Sequence, residues 1–79
     1  MASYHLTATV WQEGEQYVSR CPELGVASCG GTPEQALDSL REAVELYLEN
    51  AKELGLLADL EPVLSAPHRF CSEIEVSVP

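Results

Sequence analysis

The stretch at residues 17–49, YVSRCPELGVASCGGTPEQALDSLREAVELYLE, decides the fold of this 79-residue chain. It begins with a strand pattern that ends where Pro22 removes a backbone donor from the ladder. A turn follows at residues 23–25, a short strand at residues 26–29 runs into a glycine pair, and an amphipathic helix completes the stretch. This order predicts neighbouring antiparallel strands followed by a helix that packs on them.

The predicted helix has clear signals at both ends. Thr32 is a favourable N-cap, Pro33 suits the first helical position, and Gln35 lies three residues after the cap, as in a capping box. Gly55 is the expected C-terminal cap. Between these ends, apolar residues recur at steps of three and four and form one stripe: Ala36, Leu37, Leu40, Ala43, Val44, Tyr47, Leu48, Ala51 and Leu54.

Two further strands are predicted outside this stretch. Residues 4–11 alternate between apolar and polar side chains, and the polar residues 12–15 include a glycine, which is typical of a hairpin turn. Residues 70–78 alternate in the same way. Pro62 and Pro67 argue against a second long helix, so residues 56–67 are predicted to form a connecting segment. Its apolar residues are expected to pack on another part of the protein: Leu56, Leu57, Leu60, Val63 and Leu64.

Together these elements predict an α+β fold of order β-β-β-α-β. The first three strands form an antiparallel meander, and a right-handed crossover through the helix returns the fourth strand parallel to the third. Placing the fourth strand beside the first gives a four-stranded mixed sheet of order 3-2-1-4, with one helix packed on one face. Residues 1–79 are predicted to form a single domain.

The charge of the chain restricts its partners. Thirteen acidic residues against four basic ones give a net charge of −9. Direct nucleic-acid binding is not expected, because Lys and Arg are needed to displace counterions from phosphate. The charge favours a basic protein partner, since opposite fields steer encounter, although it could also serve only to keep the domain soluble. A core of this size supplies only about 3–5 kcal/mol, which favours self-association.

The cellular location is predicted from what the sequence lacks. No apolar run of about 18 residues is present, and the N-terminus opens into a strand pattern rather than a signal peptide. We therefore expect a cytoplasmic protein, with Cys21, Cys29 and Cys71 as reduced thiols.

No metal, cofactor or catalytic site is predicted. The residues that could bind a metal (His5, His68, Cys21, Cys29 and Cys71) form no CxxC or HxxxH pair, and short spacings of this kind are usual in zinc sites. A nucleophilic role for a cysteine requires a base within hydrogen-bond reach.

Two other sequence features have structural explanations. Cys21 follows Arg20, which could lower the pKa of its thiol, but its place before Pro22 favours a structural turn. The Gly30-Gly31 pair precedes a helix as a phosphate-binding loop does, yet it lacks the GxGxxG and GxxxxGK(S/T) patterns. A capped turn from strand to helix accounts for the glycines.

The predicted functional residues lie on surfaces rather than in a pocket. One helix layer leaves the opposite face of the sheet open, with His5, Thr7, Thr9 and Trp11 on the first strand and Cys71, Glu73 and Glu75 on the fourth. Trp11 on that face is expected to form a contact surface. Glu42, Glu45 and Glu49, on the polar side of the helix, are the expected electrostatic contacts with a partner.

The motifs of residues 17–49 resemble those of the HicB family of antitoxin-like proteins. The matching positions are Tyr17-Val18, Cys21-Pro22-Glu23-Leu24, Ala27-Ser28, Gly30, Thr32, Glu34, Ala36, Leu37, Leu40 and Glu42-Ala43-Val44-Glu45-Leu46-Tyr47-Leu48-Glu49. The chain departs from the family pattern at Gly31, where Asp is frequent, and at Ser39, where Asn is frequent.

The resemblance implies a partial ribonuclease-H-like fold without nuclease activity, because the family lacks the acidic metal site of those enzymes. It implies an antitoxin that binds and neutralises a small basic HicA-type ribonuclease toxin, and that assembles into dimers or tetramers. Many family members carry a C-terminal DNA-binding domain. This sequence ends at Pro79, after the predicted fourth strand, so transcriptional self-repression is not expected.

Two alternatives to the antitoxin function remain open at the level of the sequence. The chain could be a solitary oligomeric domain of the same fold that binds another protein or a small ligand. It could also be an enzyme with a cysteine or carboxylate centre, which we rank last.

Overall fold

A computed structural model describes residues 3–66 and 69–79 of the chain. Three strands come first: β1 (Thr9–Glu13), β2 (Gln16–Cys21) and β3 (Val26–Gly30). Two helices follow, α1 (Pro33–Glu53) and α2 (Leu57–Leu64). Neither helix combines the length and the apolar character needed to cross a membrane, a finding limited to the described residues.

The strands form one antiparallel sheet of order β1-β2-β3. The Gly14-Glu15 turn joins β1 to β2, with Glu13 opposite Gln16, which confirms the predicted hairpin. The register then places Val10 opposite Ser19. Since directly opposed residues share a sheet face, Val10 and Ser19 point to the same side.

The turn between β2 and β3 is a short loop closed by its own backbone. Cys21 lies opposite Val26, and the Gly25 amide donates to the Cys21 carbonyl at 2.9 Å. The predicted stop at Pro22 is therefore confirmed, because β2 ends one residue before it.

Helix α1 is capped at both ends as the sequence predicts. The Gln35 amide donates to the Thr32 hydroxyl at 3.1 Å, and the Gln35 side-chain oxygen accepts from the Gly31 amide at 3.0 Å. At the other end Gly55 has a φ of +72°, a conformation that glycine adopts without strain. The Leu56 amide donates to the Ala51 carbonyl at 2.8 Å, which completes a Schellman motif.

The core lies between α1 and the β2–β3 part of the sheet. Its buried apolar residues are few: Cys21, Ala36, Leu40, Ala51 and Leu64. Ser19 is fully buried, and its hydroxyl donates to the Ala36 carbonyl at 2.8 Å, so the one buried polar side chain in the described residues is satisfied by α1. Helix α1 packs chiefly on β3 and β2 and only lightly on β1 and α2.

The predicted four-stranded sheet of order 3-2-1-4 is wrong. Residues 69–79 form no strand, and the side chains of residues 70–79 are exposed. An alternating pattern indicates which side of a segment is apolar, but it does not supply an edge with which the segment pairs. The first strand is also shorter than predicted at its start, because β1 begins at Thr9 and residues 3–8 have no regular structure.

The prediction of a single helix is wrong as well, since α2 follows two residues after Gly55. Pro62 lies inside α2 and removes the one amide that would bond to the Ala58 carbonyl. Burial of Leu64, together with the half-buried Leu57 and Leu60 at helical spacing, offsets that loss. Pro67 and His68, considered above as a helix breaker and a metal ligand, lie outside the described residues.

Candidate interaction surfaces

The sheet face opposite α1 carries a continuous set of side chains, which we call the open face. Pairing places Trp11 opposite Val18 and Val18 opposite Cys29, so these three residues form a row across the strands. A second row runs from Thr9 through Arg20 to Ala27. The open face therefore consists of Thr9, Trp11, Glu13, Gln16, Val18, Arg20, Ala27 and Cys29.

Trp11 is the largest side chain of the open face. It is 42 % exposed, and its indole N–H donates to the Glu13 carboxylate at 3.1 Å. The bond runs between residues two apart on one strand and holds the indole over the sheet. A tryptophan whose N–H is already satisfied presents its apolar ring to a partner without leaving a polar group unpaired.

Thr7 and His5 lie outside β1, although we predicted both on the first strand with Trp11. The Thr7 hydroxyl donates to the Glu23 carboxylate at 2.7 Å and its amide donates to the same group at 2.9 Å, so Thr7 is engaged within the domain. His5 is exposed, and its backbone carbonyl accepts from the Arg69 guanidinium at 2.6 Å. The structure brings only Thr9 and Trp11 of the four residues together on the open face.

The glutamate of the Cys-Pro-Glu-Leu turn organises a polar cluster that the sequence did not reveal. The Glu23 carboxylate accepts both donors of Thr7, and the Cys21 thiol donates to it at 3.5 Å. Arg69 Nε lies 2.8 Å from Glu23 Oε2, but its N–H does not point along that line. The contact is thus an ion pair between two mostly buried groups, and it ties the turn to the N-terminal and C-terminal segments.

The cluster shifts the pKa values of two of its members. Burial alone would raise the pKa of the Glu23 carboxyl, but hydrogen bonds from the Thr7 hydroxyl and from backbone amides outweigh burial and hold the pKa below its usual 4.5. Burial, with a further contribution from Glu23, raises the pKa of the Cys21 thiol. Cys21 is therefore a protonated, buried thiol, which is the opposite of an activated nucleophile.

We expect Glu23→Gln to lower the free energy of unfolding by about 1–3 kcal/mol at pH 7, because Arg69 loses a buried charged partner. Because the pKa of Glu23 is lower in the folded state than in the unfolded state, its ionised form stabilises the fold. This stabilisation is fully present above the unfolded-state pKa, and it is lost as the pH falls through the folded-state pKa. The difference in the free energy of unfolding between wild type and Glu23→Gln should therefore decrease below about pH 4.5.

Urea unfolding of both proteins between pH 3 and pH 7 measures this difference. Glu42→Gln is the matched control, since Glu42 is exposed and makes no described ion pair. If the difference in the free energy of unfolding between wild type and Glu23→Gln stays constant down to pH 3, the ionised form of Glu23 does not stabilise the fold.

The exposed side of α1 is strongly acidic. Asp38, Glu42, Glu45, Glu49 and Glu53 follow one another at steps of three and four and are all exposed. We call this set the acidic face. Its described ion pair is between Asp38 and Arg41 at 3.6 Å, where both side chains are about 70 % exposed and the pair contributes little. The predicted residues Glu42, Glu45 and Glu49 thus lie together on this face.

The acidic face and the open face point in opposite directions. Helix α1 covers the face of the sheet to which the Ser19 side chain points, whereas Trp11 lies on the opposite face. The carboxylates stand on the side of α1 away from its buried residues Ala36 and Leu40. One compact partner cannot contact both predicted groups at once, so they are two surfaces rather than one site. Cys71, Glu73 and Glu75, which we predicted on the open face, lie instead in the unpaired segment.

The described residues include surface depressions but no cluster of metal ligands. Residues 3–66 and 69–79 contain no group of three or more His, Cys, Asp or Glu side chains placed to hold a metal ion. The donors of the glycine turn serve the cap of α1, as the Gly31 and Gln35 amides show. An open depression of about 420 Å³ is lined by residues that include Tyr4, His5 and Arg69. A second, of about 280 Å³, lies between α1 and α2 and is mainly apolar.

Comparison with protein-family models, with curated proteins and with solved structures finds no match to this chain. The resemblance to HicB proteins therefore rests on the residues of the stretch at 17–49 alone.

Proposed function

We propose that this chain is a HicB-like antitoxin domain that binds a small basic HicA-type ribonuclease toxin and neutralises it by protein–protein contact. The observation that carries the proposal is the acidic face of α1. Its carboxylates are exposed, and no described ion pair involves Glu42, Glu45 or Glu49. A row of like charges on a rigid helix, unpaired within the described residues, gives a partner of opposite charge a surface on which to dock.

The physical mechanism is electrostatic steering followed by occlusion. The field of a chain with net charge −9 attracts a basic protein and raises its association rate, which falls as salt is added. The aligned carboxylates then pair with Lys and Arg side chains that the ribonuclease would otherwise use to hold RNA phosphates. Neutralisation requires no catalysis by the antitoxin, and the protonated, buried thiol of Cys21 fits a role without nucleophilic chemistry.

The proposal includes a cytoplasmic location and self-association into a dimer or tetramer. All three cysteines are free, as expected in a reducing compartment. Large exposed apolar side chains, among them Phe70, Ile74, Val76 and Val78, favour self-association. The same exposed side chains favour the second candidate, a solitary oligomeric domain of this fold that binds another protein or a small ligand.

Co-expression with the product of the adjacent open reading frame tests the antitoxin proposal. We expect the two proteins to co-purify, and we expect this chain to restore growth to cells that the neighbour inhibits. A neighbour that is harmless, or that does not bind, would replace the antitoxin proposal with the solitary domain.

The docking surface is tested with two charge-matched variants. Glu45→Lys with Glu49→Lys is expected to weaken binding of the neighbour's product by about tenfold or more at low salt, because it reverses the field where the partner docks. Glu13→Lys with Glu15→Lys changes the net charge equally but at the hairpin, and should leave most of the affinity intact. Isothermal titration calorimetry measures the affinity of each double variant for the neighbour's product. If the hairpin variant loses more affinity than the helix variant, the interface lies on the open face rather than on the acidic face.

A further inference from the structure

A mainly apolar depression lies between the end of α1 and the start of α2, and we call it the interhelix groove. The Schellman motif at Gly55 turns the chain within two residues, and α2 then packs only lightly on α1, so the two helices leave a gap. Ala51 is buried at its base, and its small side chain leaves an open volume of about 280 Å³. The other lining residues are Tyr47, Asn50 and Leu54 on one side and Leu56, Asp59 and Leu60 on the other.

The walls of the interhelix groove expose large apolar side chains. Leu54 is 73 % exposed, Leu56 46 % and Tyr47 40 %. Leu46 lies one helical turn before Asn50 and is 58 % exposed, so it extends the apolar surface along α1. Single exposed apolar residues are normal, but four large ones beside an apolar depression mark an interaction site.

The size of the interhelix groove favours a helix as its ligand. A cavity of roughly 150 Å³ holds one benzene ring, so about 280 Å³ accepts about two ring-sized apolar groups rather than a whole drug-sized molecule. Tyr47 and Leu54 are seven residues apart, which is about 10 Å along the helix axis. Apolar residues at positions i, i+4 and i+7 of a second helix span the same length, and such a helix fits between two helical walls.

The charges that border the interhelix groove select a basic helix. Asp59 lines its α2 side, and Glu53 of the acidic face lies one turn after Asn50 on its α1 side. Both carboxylates are exposed, and neither forms an ion pair within the described residues. The basic residues of α1, Arg41 and Lys52, lie about 180–200° away from Asn50 around the helix axis. Helix α1 therefore brings negative charge, and not positive charge, to the groove.

The same charges disfavour other occupants. A second copy of this chain would bring its own acidic helix against Glu53 and Asp59, and residues 70–78 contain Glu73 and Glu75 but no Lys or Arg. An anionic membrane or a nucleic acid is repelled for the same reason. A basic amphipathic helix is the occupant that matches both the shape and the charge of the groove.

We propose that the interhelix groove binds the apolar face of a basic amphipathic helix supplied by another protein. Apolar residues of that helix fill the groove beside Tyr47, Leu54 and Leu56, and flanking Lys or Arg residues pair with Glu53 and Asp59. The long stems of these basic side chains cover the apolar rim. The proposal deepens the proposed function, on which it rests for the identity of the partner alone, because it names the part of a basic ribonuclease that docks beside the acidic face.

A designed peptide tests the groove independently of the natural partner. The probe is a helix of about 18 residues of Leu, Lys and Ala, with all Leu residues on one face. The control peptide has the same composition, and hence the same charge, in an order that spreads Leu around the helix. In NMR titrations of isotope-labelled protein, we expect the probe to bind at least about tenfold more tightly than the control and to shift the amide resonances of residues 47–60. Equal binding of the two peptides, or no binding of the probe, would overturn the proposal.

Two double variants locate the binding site. Leu54→Ser with Leu56→Ser removes apolar side chains from both walls of the groove and should abolish the advantage of the probe over the control peptide. Val76→Ser with Val78→Ser removes two exposed apolar side chains elsewhere and should preserve that advantage. All four side chains are exposed, so neither variant disturbs the core. If the probe keeps its advantage on the first variant, it does not bind in the groove and the proposal fails.

The product of the adjacent open reading frame separates this proposal from the antitoxin function. If that product binds the wild type and loses at least about tenfold in affinity for the Leu54→Ser, Leu56→Ser variant, both proposals are supported. If it binds the two proteins equally, the antitoxin function stands, but docking of the ribonuclease in the groove is refuted. If the probe binds the groove and the neighbour's product does not bind at all, the groove serves a different basic partner and the antitoxin function is refuted.

Discussion

Leu40→Ala is expected to lower the free energy of unfolding by about 2–5 kcal/mol, because it removes a buried side chain and leaves a cavity. Leu40 is 3 % exposed and is the largest apolar side chain of α1 that is buried in the described core. The buried set contains only five apolar residues, two of them alanines, so little else can fill the space. The whole domain gains only about 3–5 kcal/mol from such a core, and the variant should be partly or fully unfolded at 25 °C.

Thermal unfolding followed by circular dichroism measures the effect. At roughly 4–8 °C per kcal/mol for a domain of this size, Tm should fall by more than about 10 °C. Leu46→Ala is the matched control, because Leu46 lies on the same helix but is 58 % exposed, and its loss should change stability by less than about 0.5 kcal/mol. Equal effects at the two positions would show that α1 does not bury Leu40 against the sheet.

Gly30→Ala is expected to lower the free energy of unfolding by about 1–3 kcal/mol, because it overpacks the junction of β3 and α1. A Cβ built at Gly30 would lie 2.6 Å from the Ala36 nitrogen and 2.7 Å from the Gln35 carbonyl carbon. Both are backbone atoms of the first helical turn, so relief requires the strand and the helix to separate. That separation would also lengthen the bond from the buried Ser19 hydroxyl to the Ala36 carbonyl.

Gly31→Ala provides the comparison for this substitution. A Cβ there would meet only the end of the Gln35 side chain, at 3.1 Å, and that side chain can rotate away. Urea unfolding should place Gly31→Ala close to wild type and Gly30→Ala well below it. If the order is reversed, the close approach of β3 to α1 is not the reason for glycine at position 30.

The features that the sequence predicted correctly are those set by a few neighbouring residues. The Gly14 turn, the stop at Pro22 and the cap of α1 by Thr32 and Gln35 each depend on chemistry within about five positions. Gly55 likewise ends α1 through bonds to the preceding turn. Such signals act before any tertiary contact forms, and tertiary packing preserved them here.

The errors concern segments whose fate depends on distant partners. Residues 70–78 carry a strand pattern, but a strand exists only where an edge accepts it. Pro62 argued against a helix, yet one missing amide in an eight-residue helix is outweighed when Leu64 becomes buried. Whether the missing amide of Pro62 or the burial of Leu64 prevails depends on the residues against which Leu64 packs, and the local sequence does not specify them.

The candidate surfaces were predicted in part for the same reason. Glu42, Glu45 and Glu49 share a helix face by spacing alone, and Thr9 and Trp11 share a strand face by alternation alone. The role of Glu23 was missed, because Thr7 and Arg69 lie 16 and 46 positions away from it. No local sequence pattern indicates a carboxylate whose partners come from three separate segments of the chain.

The placement of the open face and the acidic face on opposite sides of the sheet has a consequence for stoichiometry. Substitutions on one side should have additive effects with those on the other, since they share no contacts. A molecule that binds partners through both of these surfaces would be bivalent, and a symmetric pair of such molecules would present four sites. Any ligand that is itself paired could then be held at both ends, gaining avidity that a single contact would not supply.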